Sequence, residues 1–174
     1  MSQELTKRIL SSLVLIPITL FFIIKGSYLF IFFLMICLSL ITYEWYMMSK
    51  KKPYSVFGYI FLFFSFYTIY KLRIDNDYWF LLFVTILCVS TDIGGYVFGK
   101  IFKGPKLTKF SPNKTYAGMI GGYLLSIISS IILINFYSSE EPIIKWLIFT
   151  ILISTISQLG DIIISYFKRL SKIK

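Results

Sequence analysis

The sequence predicts an all-α membrane protein, a polytopic bundle of about six transmembrane helices with both termini in the cytoplasm. Of its 174 residues, 57% are hydrophobic and only 15% are charged, and the mean hydropathy is +0.78. A chain with so little polar surface cannot cover a water-soluble globule. Six apolar runs supply the helices, and the basic residues that flank them supply the orientation.

The apolar runs are interrupted only by charged residues or by Gly and Pro. The first three are short against the roughly 20 residues that a helix needs to cross the hydrocarbon core, so a re-entrant pair in the first half is an alternative to three crossings. A cleaved signal peptide is rejected because no small-x-small site follows Ile24 and more apolar runs do. The runs cover residues 9–24, 28–43, 56–70, 78–98, 116–137 and 143–167.

The distribution of basic residues fixes the predicted orientation. With the N-terminus in the cytoplasm, 14 Lys and Arg fall in inside segments and 4 in outside segments. This excess is typical of cytoplasmic loops and places both termini inside. The formal net charge of +10, in so apolar a chain, indicates anionic headgroups or substrates as partners and no nucleic acid.

The residue types that are scarce narrow the chemistry. The sequence has no His, which removes imidazole bases and nearly every zinc site built from protein ligands. Cys37 and Cys88 lie in apolar runs without metal-ligand spacing and are interpreted as small buried hydrophobic residues. A bound metal would be a hard cation on oxygen ligands, with magnesium the default.

Two carboxylates lie deep in apolar context. Asp92 follows Ser-Thr and precedes Ile-Gly-Gly-Tyr, and Asp161 lies in Gln-Leu-Gly-Asp-Ile-Ile-Ile-Ser. An acidic side chain at membrane depth costs several kcal/mol unless it faces a partner, an ion or water, which indicates a functional site. The alternative is a structural pair with a lysine.

Helical spacing adds a polar stripe and two packing faces to these aspartates. Steps of four link Gly95 to Gly99 and Gly118 to Gly122, a spacing that lets helices approach closely and would bring the aspartates together, although it often marks packing alone. The polar stripe on the last helix contains Gln158, Asp161, Ser165, Lys168 and Lys172.

Residues 99–115 form a basic cytoplasmic loop between the fourth and fifth helices. It holds five Lys, two Pro and no acid, and it ends in Ser-Pro-Asn-Lys-Thr just before a helix. Lysines, hydroxyls and the N–H groups of a helix N-terminus suit phosphates. The alternative is that these lysines only set topology. The Walker pattern is absent, so no ATPase is inferred.

Four blocks carry a resemblance to the phosphatidate cytidylyltransferase (CDP-diacylglycerol synthase) family. They cover the chain from Asp92 onward, in the family's order and at its spacing. The last block is the most specific because it resembles the opening of the family signature. The blocks are DIGGYVFGK from Asp92, SPNKTYAG from Ser111, QLGD from Gln158, and Ser165-x-x-Lys168-Arg169-x4-Lys174.

The resemblance implies a multi-pass enzyme of the bacterial inner (plasma) membrane that makes CDP-diacylglycerol and pyrophosphate from CTP and phosphatidic acid. It implies magnesium, potassium as a candidate second cation, a homodimer and an active site that faces the cytoplasm. Asp161 and Asp92 become candidate metal ligands. Asp161, Lys168 and Arg169 become candidate catalytic residues. The candidate substrate contacts are Ser111, Asn113, Lys114, Thr115, Ser165 and Lys174.

The resemblance also divides the chain by role. Residues 1–75 would be transmembrane helices that accommodate lipid, and residues 76–174 a partial catalytic domain that includes the basic loop. The family signature continues beyond Lys174 with further acids, so we expect a fragment or an inactive member. Ala117 and Ile164 stand where the family usually has Glu.

Two rival functions remain open. A polyprenol or dolichol kinase-like phosphotransferase would share a metal-dependent cytoplasmic site and lipid-phosphate chemistry. A small membrane transporter or scaffold would use the aspartates to move ions or hold helices, and it would leave the Ser-Pro-Asn-Lys-Thr and Ser-x-x-Lys-Arg blocks unexplained.

Overall fold

The computed structural model of the protein describes residues 3–50, 52–108, 111, 114–137 and 141–171, and the side chains of this set except those of residues 3–13 and 137. Within these ranges it contains six α-helices and no strand, which confirms the predicted all-α fold. The helices are α1 (Gln3–Lys25), α2 (Ser27–Ser49), α3 (Ser55–Asp75), α4 (Tyr78–Phe102), α5 (Tyr116–Tyr137) and α6 (Ile143–Leu170).

Five helices, α2 to α6, are long and apolar enough to cross a membrane. In α1 the described apolar stretch is Val14–Lys25, and Pro17 interrupts its backbone hydrogen bonding. The helices α2 and α3 have 23 and 21 residues, so both reach the roughly 20 residues of a crossing. The orientation of the termini stays a prediction.

The helices form two compact units, Met1–Leu82 and Phe83–Lys174, and the division falls within α4. In the first unit the α2–α3 turn is held by side chains. The Trp45 Nε1–H donates to the Ser55 carbonyl at 3.0 Å, and the Ser49 and Ser55 hydroxyls lie 3.1 Å apart. Gly58 lies under the indole, since a Cβ there would be 2.0 Å from Trp45 Cε2.

A second contact in the first unit closes the α1–α2 turn. Gly26 adopts a positive φ of 64°, a conformation that glycine tolerates. The Arg73 Nε donates to the Ile23 carbonyl at 2.9 Å, and its Nη2 donates to the Ile24 carbonyl at 3.4 Å. Arg73 on α3 therefore satisfies carbonyls that the end of α1 leaves without helical partners.

Glycines pack α4 against α5 in the second unit. A Cβ added at Gly94 would lie 2.3 Å from the Gly121 carbonyl oxygen, and one at Gly118 would lie 2.6 Å from the Gly95 carbonyl oxygen. Real Cβ atoms do not approach backbone so closely, so the two helices are in backbone contact. The predicted small-residue face is confirmed at Gly95, Gly99 and Gly118, and it extends to Gly94 and Gly121.

Buried and half-buried hydroxyls link all three helices of the second unit. Ser90 and Ser129 share a hydrogen bond of 2.8 Å between α4 and α5. Ser130 and Thr150 share one of 2.8 Å between α5 and α6. Hydroxyl contacts between neighbouring helices give specific packing in a bilayer, where the hydrophobic effect does not drive helices together.

Candidate active site

Residues 99–102 of the predicted loop continue α4, and the remaining basic loop folds back on itself between α4 and α5. Beyond α4, Lys103 and Gly104 have positive φ values of 51° and 96° and turn the chain away from the helix. Lys106 and Thr115 then form an isolated antiparallel bridge, and the Leu107 N–H donates to the Lys114 carbonyl at 2.8 Å. The described ends of the loop are therefore fixed beside the start of α5.

Thr115 and Ser111 have definite places in this loop. The Thr115 Oγ1 accepts the Gly118 N–H at 3.1 Å, which makes Thr115 the N-cap of α5. Ser111 is buried, and its N–H donates to the Thr108 Oγ1 at 3.1 Å. Both predicted substrate contacts thus lie beside the N-terminus of α5, where backbone N–H groups and the helix dipole favour an anion.

An ion pair joins the loop to α6. The Lys114 Nζ lies 2.5 Å from the Asp161 Oδ2 and donates a hydrogen bond to it, with the two side chains 29% and 52% exposed. Asp161 is therefore paired with a lysine, but this lysine is itself a predicted phosphate contact. The pair places a cation and a carboxylate where both remain accessible.

Asp92 belongs to the same electrostatic environment. It lies on α4 at the surface of the second unit, close enough to interact electrostatically with Asp161 and with Lys114. This electrostatic interaction agrees with the predicted approach of the two aspartates. Two packing contacts connect their helices: the glycines join α4 to α5, and Gln158 of α6 lies against Gly122 of α5.

The residues of the polar stripe of α6 become more exposed toward the C-terminal end of the helix. The Gln158 Nε2 lies 3.4 Å from the Met119 carbonyl oxygen of α5. Asp161 faces the loop, and Ser165 is half-buried one turn later. Lys168 and Arg169 are exposed in the last turn of α6, about 10 Å along the axis beyond Asp161 by helical rise.

The structure therefore brings together only part of the predicted set. Asp92, Lys114 and Asp161 are grouped, with Ser111 and Thr115 in the adjoining loop and Ser165 one turn away. Asn113, Lys172 and Lys174 lie outside the described residues.

Sequence reasoning missed Gly94 and Gly121, and it left Gln158 out of the site. The doublets Gly94-Gly95 and Gly121-Gly122 were the signal for the two glycines, since neighbouring glycines offer two helix faces for close approach. For Gln158 the signal was its place at the buried end of the polar stripe.

The donor set suits a hard cation with few protein ligands. Among the residues that the structure describes, no group of three or more His, Cys, Asp or Glu could hold a metal ion. Asp92 and Asp161 offer carboxylate oxygens, which magnesium prefers, and magnesium commonly takes one or two carboxylates together with substrate phosphates and water. The residues present therefore fit magnesium held jointly with a phosphate substrate.

Comparison with known proteins now identifies the family. Residues 6–74 and 55–174 match the family model described as "Cytidylyltransferase family". The chain belongs to the cytidylyltransferase family. The predicted class of nucleotidyltransferase is confirmed with it, and the described helices agree with a multi-pass membrane member.

Curated members of the family cover most of the chain. A phosphatidate cytidylyltransferase of Rickettsia conorii is 32% identical over an alignment of 178 positions, which covers 96% of this chain and 76% of that relative. The Rickettsia felis protein of that name is 32% identical, covering 99% of this chain and 80% of the relative. The Staphylococcus saprophyticus protein of that name is 30% identical, and the match covers 78% of this chain and 54% of the relative. No solved structure matches the chain significantly.

Proposed function

We propose that this protein transfers the cytidylyl group of CTP to phosphatidic acid, giving CDP-diacylglycerol and pyrophosphate. Family membership and the name shared by relatives such as the Rickettsia conorii protein support the substrates. The observation that carries the proposal is the 2.5 Å contact between the Lys114 Nζ and the Asp161 Oδ2. This contact brings together a lysine ammonium, which can bind phosphate, and a carboxylate, which can bind a metal ion.

The reaction needs no nucleophile from the protein. A phosphate oxygen of phosphatidic acid attacks the α-phosphorus of CTP, a new P–O bond forms, and the bond from the α-phosphorus to the α,β-bridging oxygen breaks. Pyrophosphate leaves with that oxygen and its electron pair. Catalysis of such a transfer consists of positioning and of neutralising charge on the phosphate oxygens.

The chain's own residues divide this work. Lys114 exchanges Asp161 for a triphosphate oxygen, since an ammonium on a flexible stem can follow a charged ligand over a short distance. The N-terminus of α5, capped by Thr115, lies beside it and offers N–H groups to phosphate. Ser165 and the exposed cations Lys168 and Arg169 follow Asp161 along α6 and are proposed to contact the phosphates of the substrates.

Asp161 and Asp92 would hold magnesium. Once Lys114 turns to phosphate, the Asp161 carboxylate is left with accessible oxygens, and Asp92 lies within electrostatic reach. Bound magnesium supplies charge neutralisation at the phosphate oxygens. Potassium is proposed as the second cation, to be tested by replacing potassium with sodium in the assay.

The cellular setting follows from the same proposal. The excess of Lys and Arg in alternate segments supports an active site on the cytoplasmic side of a bacterial inner membrane. We also propose a homodimer, which cross-linking in native membranes would test against a monomer.

The test is a transfer assay in membranes that contain the protein. With magnesium, labelled CTP and added phosphatidic acid, the chain should form labelled CDP-diacylglycerol. Asp161→Asn should lower the rate about 1,000-fold, because it removes a charged metal ligand, while Glu141→Gln should leave it unchanged. Activity that survives Asp161→Asn undiminished would refute the assignment of the site.

A further inference from the structure

Gln158 lies where the three helices of the second unit meet. Its Nε2 is 3.4 Å from the Met119 carbonyl oxygen on α5 and 3.4 Å from the Ser154 Oγ on its own helix. Ser154 in turn shares a hydrogen bond of 3.1 Å with Thr91 on α4. One amide thus connects, directly or through one hydroxyl, to both neighbouring helices.

Gly122 leaves the space that this amide occupies. A Cβ at Gly122 would lie 3.1 Å from the Gln158 Nε2 and 3.0 Å from the Thr91 carbonyl oxygen. Both separations are tighter than ordinary Cβ contacts, and the Thr91 oxygen is backbone that cannot rotate away. Even the methyl group of an alanine at Gly122 would therefore press on the amide and require it to shift by a few tenths of an ångström.

This junction is adjacent in sequence to both candidate metal ligands. Thr91 immediately precedes Asp92, and Gln158 comes three residues, or nearly one helical turn, before Asp161. Thr91 and Ser154 are 2% and 0% exposed, so the contacts are enclosed by protein. A rotation or shift of α6 at Gln158 would move Asp161 relative to Lys114 and Asp92.

We propose that Gln158, seated against Gly122, is a positioning residue that sets the placement of α6 so that Asp161 faces Lys114 and Asp92. Gln158 does not touch the reacting groups and acts through Asp161. The effect of Gln158 on catalysis rests on the proposed cytidylyl transfer, whereas its effect on the position of Asp161 does not. Groups that hydrogen-bond directly to a metal ligand typically matter 10- to 100-fold for metal affinity or activity, and that range is the upper bound for a residue that acts through the helix backbone.

A plain role in holding α5 and α6 together is the competing explanation, and the chain offers a matched control for it. The hydroxyls of Tyr123 and Thr155 share a hydrogen bond of 2.8 Å between the same two helices. Tyr123→Phe removes a shorter interhelical bond that does not adjoin the carboxylates. Gly160→Ala is a second control, since a Cβ there meets no atom within 4 Å.

The geometric test measures cross-linking and needs no activity. Cys37 and Cys88 are changed to Ala, Lys114 and Asp161 are changed to Cys, and a short bifunctional thiol reagent is applied to membranes. Gln158→Met, which keeps the length of the side chain and removes its donor, should lower the cross-linking rate about tenfold. Tyr123→Phe should keep the cross-linking rate within about twofold of the rate without this substitution. An equal fall in both variants, or none in Gln158→Met, would overturn the proposal.

Gly122→Ala tests the same contact from α5. It should lower cross-linking as Gln158→Met does, and combining Gly122→Ala with Gln158→Ala should cost less than the sum of the two changes, because both remove one contact. Gly160→Ala should leave the rate unchanged. Strict additivity would contradict a shared contact, and so would a full effect of Gly160→Ala.

The catalytic test separates binding from turnover. In the otherwise native chain, Gln158→Met should lower kcat for magnesium-dependent transfer about 10- to 100-fold with little change in KM for CTP, since misplacement of a metal ligand acts mainly in the transition state. Tyr123→Phe should keep kcat within about threefold. If the native chain transfers nothing, the proposed function fails, and the cross-linking result still decides the role of Gln158.

Discussion

The two units use the same residue types in different ways. In the first unit, Ser39, Ser65 and Thr68 donate to carbonyls of their own helices, at 2.8 Å in each case. In the second unit, hydroxyls such as those of Ser130 and Thr150 meet across helices. Among the described residues, the first unit joins its helices through polar contacts near their ends, such as that of Arg73 with Ile23, whereas the unit that holds Asp92 and Asp161 also joins them through hydroxyls along their length.

Burial sets one helix of the first unit apart. The helix α3 contains no buried residue, and its Phe57 and Phe61 are 76% and 69% exposed. In the second unit, Thr150 and Ser154 are fully buried. The difference teaches that backbone-close packing accompanies the site, whereas α3 presents an aromatic surface of the kind that lipid covers. That residues 1–75 accommodate lipid stays a prediction.

The largest expected effect compares glycines of the two units. Gly94→Ala should destabilise the protein by about 3 kcal/mol, at the upper end for overpacking, because its Cβ would meet backbone of α5. Gly58→Ala should cost about 2 kcal/mol, since the Trp45 side chain can move but gives up its bond to the Ser55 carbonyl when it does. Unfolding in mixed detergent micelles measures both. A larger loss for Gly58→Ala would reverse the comparison.

A second prediction separates activity from stability at the ion pair. Lys114→Gln should lower CTP transfer about 10- to 100-fold, because the phosphate loses its cation. Unfolding should change by less than about 1 kcal/mol, since an accessible pair contributes little. Lys145→Gln, which breaks the exposed pair with Glu141, is the matched control and should alter neither quantity. Unaltered kinetics in Lys114→Gln would remove Lys114 from the site.

The third prediction concerns Arg73, which acts within the first unit. Arg73→Leu should lower the free energy of unfolding by about 2 kcal/mol, because the carbonyls of Ile23 and Ile24 lose a charged donor. Transfer activity of the folded fraction should change less than about threefold. Lys71→Leu removes only the exposed pair with Asp75 and should be nearly neutral. Loss of activity without loss of stability would give Arg73 a part in the site.

The smallest expected effect contrasts two threonines. Thr150→Val removes a buried bond to Ser130 and should cost about 1 kcal/mol, within the range for interhelical hydrogen bonds in membranes. Thr68→Val loses only a bond to the Phe64 carbonyl on an exposed face and should change unfolding by less than about 0.5 kcal/mol. Equal losses of unfolding free energy in the two variants would show that threonine hydroxyls stabilise the two units to the same extent.

The number and order of the helices could be predicted from the sequence because each membrane helix needs a long apolar run, and charged residues, Gly or Pro interrupt these runs. The sequence understated the lengths of the helices, since polar end residues such as Arg73 and Lys168 continue the helix outside the apolar run. The closeness of Asp92 and Asp161 was foreseen from glycine spacing. A pair with a lysine was raised as an alternative, but Lys114 was not identified as the partner, because that depends on how the loop bridge between Lys106 and Thr115 directs one side chain.

The contact of Gly94 with Gly121 was missed for a similar reason. The i, i+4 rule picks out Gly95 and Gly99, but which face of α4 meets α5 depends on helix rotation. The rotation of α4 is set by contacts such as that of Ser90 with Ser129, which join residues 39 positions apart and leave no local signal.

The proposed reaction transfers a nucleotidyl group rather than a phosphoryl group. The direct measurement compares CTP labelled at the α-phosphate with CTP labelled at the γ-phosphate, each supplied with magnesium and phosphatidic acid to membranes that contain the protein. The account predicts that the α label enters lipid, the γ label leaves as pyrophosphate, and Asp161→Asn abolishes both. Entry of the γ label into lipid would contradict it and would favour a lipid kinase.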